Sequence, residues 1–464
     1  MKSKDYSLDP NMKKNPSLLC SVIILNFNGQ RVIEKVVKSV LSSRFPKKNF
    51  EILIPDNNSK DKSRTILKKL SKKYSQVKPL FLDKNYGFAG GNNRAIVHAK
   101  GKYIILLNND CIVDRYWLRN LYETAETDPT IFSVNSKILL FPKYIHFHFD
   151  IFEKIPLLEI SLTKSFLHQY TSTSQPYILP FTPTPPGYQL DIPFEPNLDK
   201  SVELTLKFYN NGQTIIPVDI VSKSENMIKV LQIIKTHDNI YVKIFINISK
   251  ISSVTFKKIQ NAGNYVFQDG HGRDIGAQVK YMSQDYEIDQ NQYNQTREIY
   301  SSCGAACLYR KKILDKIGLL DENFFMYYED IEICERARLA GYKIMYSPAA
   351  VAHHLHALSS REWSKFFIYN VEKGRLLHVF YHFPLSVFLS EFSKYKLIAI
   401  YKLIKSLKHP KQIKTNLLPF KVLFYFFLHF PLILSKKISF KNIYNTSSIN
   451  TNYKTILSGY WYHN

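Results

Sequence analysis

At 464 residues the chain is longer than one hydrophobic core usually supports, and two or three structural units are expected. A hydrophobic share of 45% with 14% aromatics excludes a disordered chain, while a formal net charge of +25 leaves nucleic acid, an anionic membrane or an acidic small substrate as partners. After Glu391 there is no acidic residue, yet lysines recur from Lys394 to Lys454 among apolar runs, which points to a membrane face and away from a duplex groove.

Residues 1–17 are polar and lack the apolar core of an export signal, so they read as a disordered lead. From Leu18, strand-like runs at Ser21–Asn26, Glu51–Pro55, Val77–Leu82 and Tyr103–Asn108 alternate with helical spacing, as in Val32, Ile33, Val36, Val37, Val40 and Leu41. Such repeats predict an α/β, Rossmann-like part over 18–142, with a mostly parallel sheet and a ligand crevice at the carboxyl ends of its strands. Past Phe141 the pattern breaks. A proline-rich stretch at Pro176–Pro196 and alternating runs at Val202–Tyr209, Ile215–Val221, Ile228–Ile234 and Ile240–Ile248 predict an inserted antiparallel β-rich unit over 143–257. Helical signals return at Lys311–Ile317 and Tyr328–Ala340, the latter closed by Gly341 and followed by a strand at Tyr342–Tyr346, so 258–380 resumes the α/β part. Residues 381–464 read as a basic, amphipathic to apolar helical tail. Within it Leu417–Ser435 nearly reaches spanning length, but Pro419, Lys421, His429 and Pro431 interrupt it, which favours interfacial attachment. The five cysteines, Cys20, Cys111, Cys303, Cys307 and Cys334, have no ligand-like spacing and read as reduced thiols of a cytosolic protein.

Chemistry-bearing residues follow the strands. Leu25–Gly29 supplies Asn26 and Asn28, and Pro55–Asp61 supplies Asp56, a carboxylate placed to accept from a base or ribose or else to cap the next helix. Asn85–Asn93, with Asn85, Gly87, Gly90, Gly91 and Asn93, is expected directly before a helix, where backbone N–H groups favour a diphosphate. Leu106–Cys111 ends a strand in Asn109 and Asp110, the latter suited to a hard divalent cation. In Asn323–Arg336 an aromatic run containing Tyr328 leads to Glu329 and Asp330, a setting that can raise a carboxyl's proton affinity for general-base work. Beyond the next strand, His353, His354 and His356 offer a metal ligand or phosphate contact.

In order, Leu25–Gly29, Asp56–Asp61, Gly87–Asn93, Leu107–Asp110, Ser302–Ala306 (with Gly304) and Phe325–Asp330 resemble the family 2 glycosyltransferases of GT-A fold, in particular their rhamnosyltransferase-like branch. The resemblance covers roughly 18–140 and 258–380. It implies that Asp56 contacts base or ribose within a donor site of Asn26, Asn28, Asn85, Gly87, Gly90, Gly91, Asn93 and Asn109. It further implies that Asp110 with His353 or His354 holds Mg2+ or Mn2+, that Asp330 is the base, and that Glu329, Gly304 and Tyr328 contact the acceptor or sugar. Transfer would invert the anomeric carbon, from dTDP-rhamnose or a UDP-sugar to a glycan or lipid-linked acceptor in surface polysaccharide synthesis, at the inner face of the cell membrane. Two departures stand out: Asn108 replaces the Asp that opens the acidic motif in many relatives, and 143–257 has no counterpart in the minimal pattern, leaving glycan recognition and plain packing both open. Against this reading stand a nucleotidyltransferase, which would have no use for an acceptor-side Glu329–Asp330, and a degenerate glycan-binding scaffold. No nucleic-acid motif is present.

Overall fold

The computed structural model describes residues 18–141, 143–150, 157–164, 177–179, 181–184, 187–194, 201–209, 228–236, 239–247, 256–280, 283–355, 364–408 and 413–444. The expected lead at 1–17, the run Ile215–Val221 and His356 lie outside these residues. The chain divides into two compact units, one comprising residues to Ile138, Asn261–Ile275 and Tyr293 onward, the other Leu139–Gln260 and Gly276–Gln292.

The first unit is built on β1 (Cys20–Leu25), β2 (Phe50–Asp56), β3 (Val77–Phe81) and β4 (Tyr103–Asn108), all parallel, in the order β3-β2-β1-β4. β1 and β2 are almost wholly buried because helices cover both faces, which explains their unbroken apolar runs. In α1 (Ile33–Leu41), Ile33, Val36, Val37 and Val40 form the buried face, the spacing of one helical stripe. α2 (Ser63–Lys73), α3 (Gly87–Ile96) and α4 (Trp117–Glu126) follow β2, β3 and the short β5 (Cys111–Val113). β6 (Ile131–Leu140) and β7 (Ala306–Arg310) continue the sheet beyond β4, with β7 antiparallel to both neighbours. After α5 (Lys311–Ile317) and α6 (Glu329–Leu339) comes β8 (Lys343–His354). The architecture is α/β of GT-A type, as expected, but the sheet is mixed and not mostly parallel: only the β3-β2-β1-β4 block is parallel, and the strands beyond β4 pair antiparallel because they return from long connections instead of short βα crossovers.

Two local expectations change. The strand read as ending at Tyr346 runs on to His354, because β8 pairs with Arg297–Glu298 through Met345 and Tyr346 and then with β5 through Ala352–His354. Pro348 falls in neither of these registers, so its missing N–H breaks no bond of either ladder. The segment expected to precede a helix is itself the helix, since α3 begins at Gly87 and includes Gly90, Gly91 and Asn93.

α7 (Lys365–His382), capped by Ser364 Oγ accepting from Phe367 N at 3.1 Å, packs with α6, α8 (Leu385–Lys408) and α9 (Leu418–Lys441) in an aromatic second core that includes Tyr328, Phe380, Tyr381, Phe388, Phe426 and Phe440. α9 is long and apolar enough to cross a membrane by length and composition, and about a quarter of its apolar window is buried. Leu385, Leu397, Tyr401, Phe424, Phe427 and Leu432 on α8 and α9 are exposed.

The second unit is antiparallel β-structure. A five-stranded sheet runs in the order Ile228–Lys235, Asn239–Asn247, Ser201–Tyr209, Leu157–Lys164, Tyr177–Leu179, and a three-stranded sheet joins Phe181–Thr184, Gly187–Phe194 and Lys143–Asp150. Leu204, Leu206, Val242 and Ile160 lie buried in the larger sheet, as the alternation predicts. The hairpin of Ala277–Lys280 and Ser283–Ile288, from outside the expected 143–257 stretch, also belongs to this unit.

Candidate active site

Asn26, Asp56 and Asp110 sit where β1, β2 and β4 end, the crevice an α/β sheet reserves for ligands. The fully buried Asp56 carboxylate is well bonded: Oδ2 accepts from Asn26 Nδ2 at 2.8 Å, and Oδ1 accepts from Ser59 N at 3.0 Å and Arg64 Nε at 2.8 Å. Asn26 Oδ1 in turn accepts from Asn109 Nδ2 at 3.2 Å, while Asn28, at φ 52°, donates its N–H to Ser59 Oγ and accepts from Lys60 N. Asp56 therefore orders the strand-end loop; it does not cap α2, whose first N–H, that of Ser63, is accepted by Asp61 Oδ1. Asn85 Oδ1 accepts from Asn57 Nδ2 and Gly87 N.

The glycine-rich segment acts through close packing more than through free N–H groups. A Cβ at Gly91 would stand 2.5 Å from Leu25 Cδ1, and one at Gly90 would crowd Tyr86 and Arg94, so both glycines let α3 lie against its neighbours. Asn93 bonds both ways to Leu320, donating to its O at 2.8 Å and accepting from its N at 3.2 Å. Its buried amide thus ties α3 to the approach of α6.

On β8 successive side chains point to opposite faces, and the two adjacent histidines part company. His354 Nε2 lies 2.9 Å from Asp110 Oδ1, both groups buried, whereas His353 Nε2 lies 3.0 Å from the exposed Asp114. The candidate metal corner is thus Asp110 with His354, and Cys111 Sγ lies in the same group. His353 is not part of it. A buried carboxylate oxygen beside an imidazole nitrogen is a donor set that fits a divalent cation.

Glu329 and Asp330 open α6. Asp330 Oδ2 accepts from Gly304 N and Oδ1 from Ile331 N, each at 2.8 Å, so Gly304 serves through its backbone. A Cβ on Gly304 would crowd the ring of Phe88 at 3.2 Å. Burial raises the Asp330 carboxyl above its ordinary range against the pull of these N–H groups. Burial, then the Asp330 charge, pushes Glu329 well up, and its Oε2 has no hydrogen-bond partner among the described residues. The approach is strained: Phe325, Tyr327 and Tyr328 all have φ between 63° and 72°. At about 1–2 kcal/mol each, three left-handed aromatics persist only where the surroundings impose them, and such strain gathers at functional sites. Here Phe325 O accepts from Phe88 N at 2.6 Å, and Tyr328 donates its hydroxyl to Gly270 O while accepting from Gly272 N. The Tyr328 hydroxyl is thereby engaged by the fold.

Known sequences give this geometry a family. Residues 21–167 match the family model "Glycosyl transferase family 2" and residues 226–375 match "Glycosyltransferase like family 2". Both stretches are family 2 glycosyltransferase sequence. Similar relatives include the cholesterol galactosyltransferase of Borreliella burgdorferi, 32% identical over 27% of this chain and 33% of that protein. The GalNAc(5)-diNAcBac-PP-undecaprenol beta-1,3-glucosyltransferase of Campylobacter jejuni is 35% identical over 19% and 29%. The matched part spans about a third of each of these relatives. Among solved structures, GalNAc-T7 with UDP, GalNAc and Mn2+ aligns over 78% of this chain and 50% of its own at 14% identity and TM-score 0.43, and the mannosyltransferase PcManGT of Pyrobaculum calidifontis over 89% and 90% at 9% and 0.39.

The glycosyltransferase segments contain site residues that sequence reading passed over. Arg64 bonds Asp56 and donates to Leu82 O at 2.7 Å, and Asn57 bridges Asn85, Gly87 O and Tyr86 N. An Asn beside Asp56 and an Arg at the second position of the following helix were the available signals.

Proposed function

We propose that this protein is an inverting, metal-dependent glycosyltransferase that moves a sugar from a nucleotide-diphosphate donor to a hydroxyl of a glycan or lipid-linked acceptor in surface polysaccharide synthesis. The observation that carries the reading is the pair of buried Glu329 and half-buried Asp330, the latter held by the Gly304 N–H, at the end of a strained aromatic loop and in the same unit as the strand-end Asp56 and Asp110. Asp330, with raised proton affinity, takes the proton from the attacking hydroxyl; the hydroxyl oxygen bonds the anomeric carbon from the face opposite the diphosphate, whose bond breaks with its electron pair on the nucleotide. Asp110 and His354 would hold Mg2+ or Mn2+, which when bound supplies positive charge against the leaving diphosphate. The cradle of Asn26, Asn28, Asp56, Asn85 and Asn109 orients the nucleotide. dTDP-rhamnose is supported by the motif series, and UDP-hexose by relatives such as the UDP-Glc:alpha-D-GlcNAc-diphosphoundecaprenol beta-1,3-glucosyltransferase of Escherichia coli, 35% identical over 25% of this chain and 45% of that protein. The exposed apolar side chains of α8 and α9, interleaved with lysines, support a peripheral position on the inner face of the cell membrane.

The test is nucleoside diphosphate release from a panel of nucleotide sugars with Mg2+ or Mn2+ and membrane glycolipid, for the parent and Asp330→Asn. Metal-dependent release from one donor that collapses in the variant supports the reading and names the sugar. Donor binding by a folded protein without any release turns it toward a glycan-binding scaffold, and pyrophosphate release from a nucleoside triphosphate and a sugar phosphate turns it toward a nucleotidyltransferase.

A further inference from the structure

Lys373 sits on α7 immediately before Gly374, whose missing side chain lets α7 press on the strained loop: a Cβ there would stand 2.9 Å from Tyr328 Cβ and 3.2 Å from Tyr327 O. Lys373 is 4% exposed, yet its ammonium makes no salt bridge or hydrogen bond among the described residues. It lies instead over the rings of Tyr425 at 5.0 Å and Tyr369 at 5.7 Å. Glu329, on the facing helix, is likewise buried and has its Oε2 unbonded. A lysine so little exposed, with no anionic partner bonded to it among the described residues, and a buried carboxylate on the facing helix with one oxygen unbonded are costly to keep unless a polar ligand completes both.

We propose that Lys373 is a further acceptor-binding residue, its ammonium donating to one hydroxyl of a polyhydroxylated acceptor sugar while the free Glu329 oxygen accepts from another. Held at these two points between aromatic rings, the sugar presents its reacting hydroxyl to Asp330. The inference rests on the transferase reading and adds to it the acceptor side, a glycan hydroxyl pair bound between an ammonium and a carboxyl group.

Burial pushes the Lys373 ammonium down to about 8, with Glu329 and Asp321 pulling the other way. The other ionisable groups against it among the described residues are Tyr369 on its own helix and Tyr425 on α9. Lys436 is 3.6 Å from Asp321, and Glu372 and Glu391 are engaged by Arg375. Acceptor-dependent turnover should therefore fall as pH rises through about 8 in the parent, whereas an arginine at this position stays charged.

The experiment compares the parent, K373M and K373R in two reactions followed by nucleoside diphosphate release: donor hydrolysis by water, and the extra release stimulated by membrane glycolipid. For K373M the expected result is a loss of about 10- to 100-fold in glycolipid-stimulated kcat/KM, the range for a hydrogen bond to a charged group, with donor hydrolysis and donor KM unchanged. K373R should recover part of the stimulation and lose the alkaline fall. Parallel loss of hydrolysis and stimulation, unchanged stimulation in K373M, or a parent that hydrolyses donor without responding to glycolipid each overturns the proposal. If K373M fails to fold, the alkaline limb in K373R decides alone. A parent that releases no nucleotide from any donor instead defeats the transferase reading itself, so the two failures are distinct.

Discussion

Gly87→Ala should destabilise the protein far more than a typical surface change, because Gly87 is where the donor-side helix meets the loop that delivers Asp330. Its φ is 72°, and an alanine held there costs about 1–2 kcal/mol in backbone strain. The added Cβ would also stand 2.4 Å from Phe325 O, the acceptor of the Phe88 N–H at 2.6 Å. Moving that carbonyl aside strips a partner from the N–H, a further loss of about 1–3 kcal/mol. The sum is about 2–5 kcal/mol. Gly341→Ala is the control: its φ is 88° where it closes α6, and no atom lies within 4 Å of a Cβ there, so only the backbone part applies. Urea unfolding of both variants by circular dichroism, beside the parent, gives the comparison, and glycolipid-stimulated nucleotide release reports whether the Phe325–Asp330 loop has shifted. Equal destabilisation by the two variants would refute the argument that the Phe325 carbonyl is what excludes a side chain at Gly87.

His354→Gln should weaken Mn2+ dependence of donor turnover by about 10-fold or more, whereas His353→Gln, on the opposite face of β8, should leave it unchanged; a manganese titration of donor hydrolysis separates them. Both ring nitrogens of the buried His378 lack a partner among the described residues, and burial, helped by His382, holds its pKa well below the ordinary value. A proton is therefore bound more readily by the unfolded chain, so stability is full above the unfolded value of about 6.5 and falls as pH drops below it. His378→Leu should flatten the melting temperature between pH 7.5 and pH 5 relative to the parent. Arg336, buried with Glu332 at 2.6 Å and donating to Ile317 O and Leu319 O, should cost about 3–5 kcal/mol when changed to Met, seen as a lower urea midpoint.

Much of the fold was legible because each signal was local. Unbroken apolar runs became the parallel β1, β2 and β4, the 3.6-residue stripe of Ile33, Val36, Val37 and Val40 became α1, and Gly341, at φ 88°, ended α6 as a C-terminal glycine should. Strand-end placement along the chain likewise locates Asn26, Asp56 and Asp110 at the carboxyl ends of β1, β2 and β4. Tertiary structure decided what depends on partners distant in sequence. Which of two adjacent histidines meets Asp110 depends on the register of β8 with β5, because a one-residue step turns a strand side chain to the other face. Asn93 and Tyr328 look like ligand contacts in isolation, yet Leu320 and the 270–272 loop engage them once the chain has folded. Lys373 stands 43 residues after Asp330 in a helix with no motif, and only the packing of α7 on α6 makes its charge part of the site. Spacing along the chain dictates which face a residue takes, whereas the partner on that face is chosen by long-range packing.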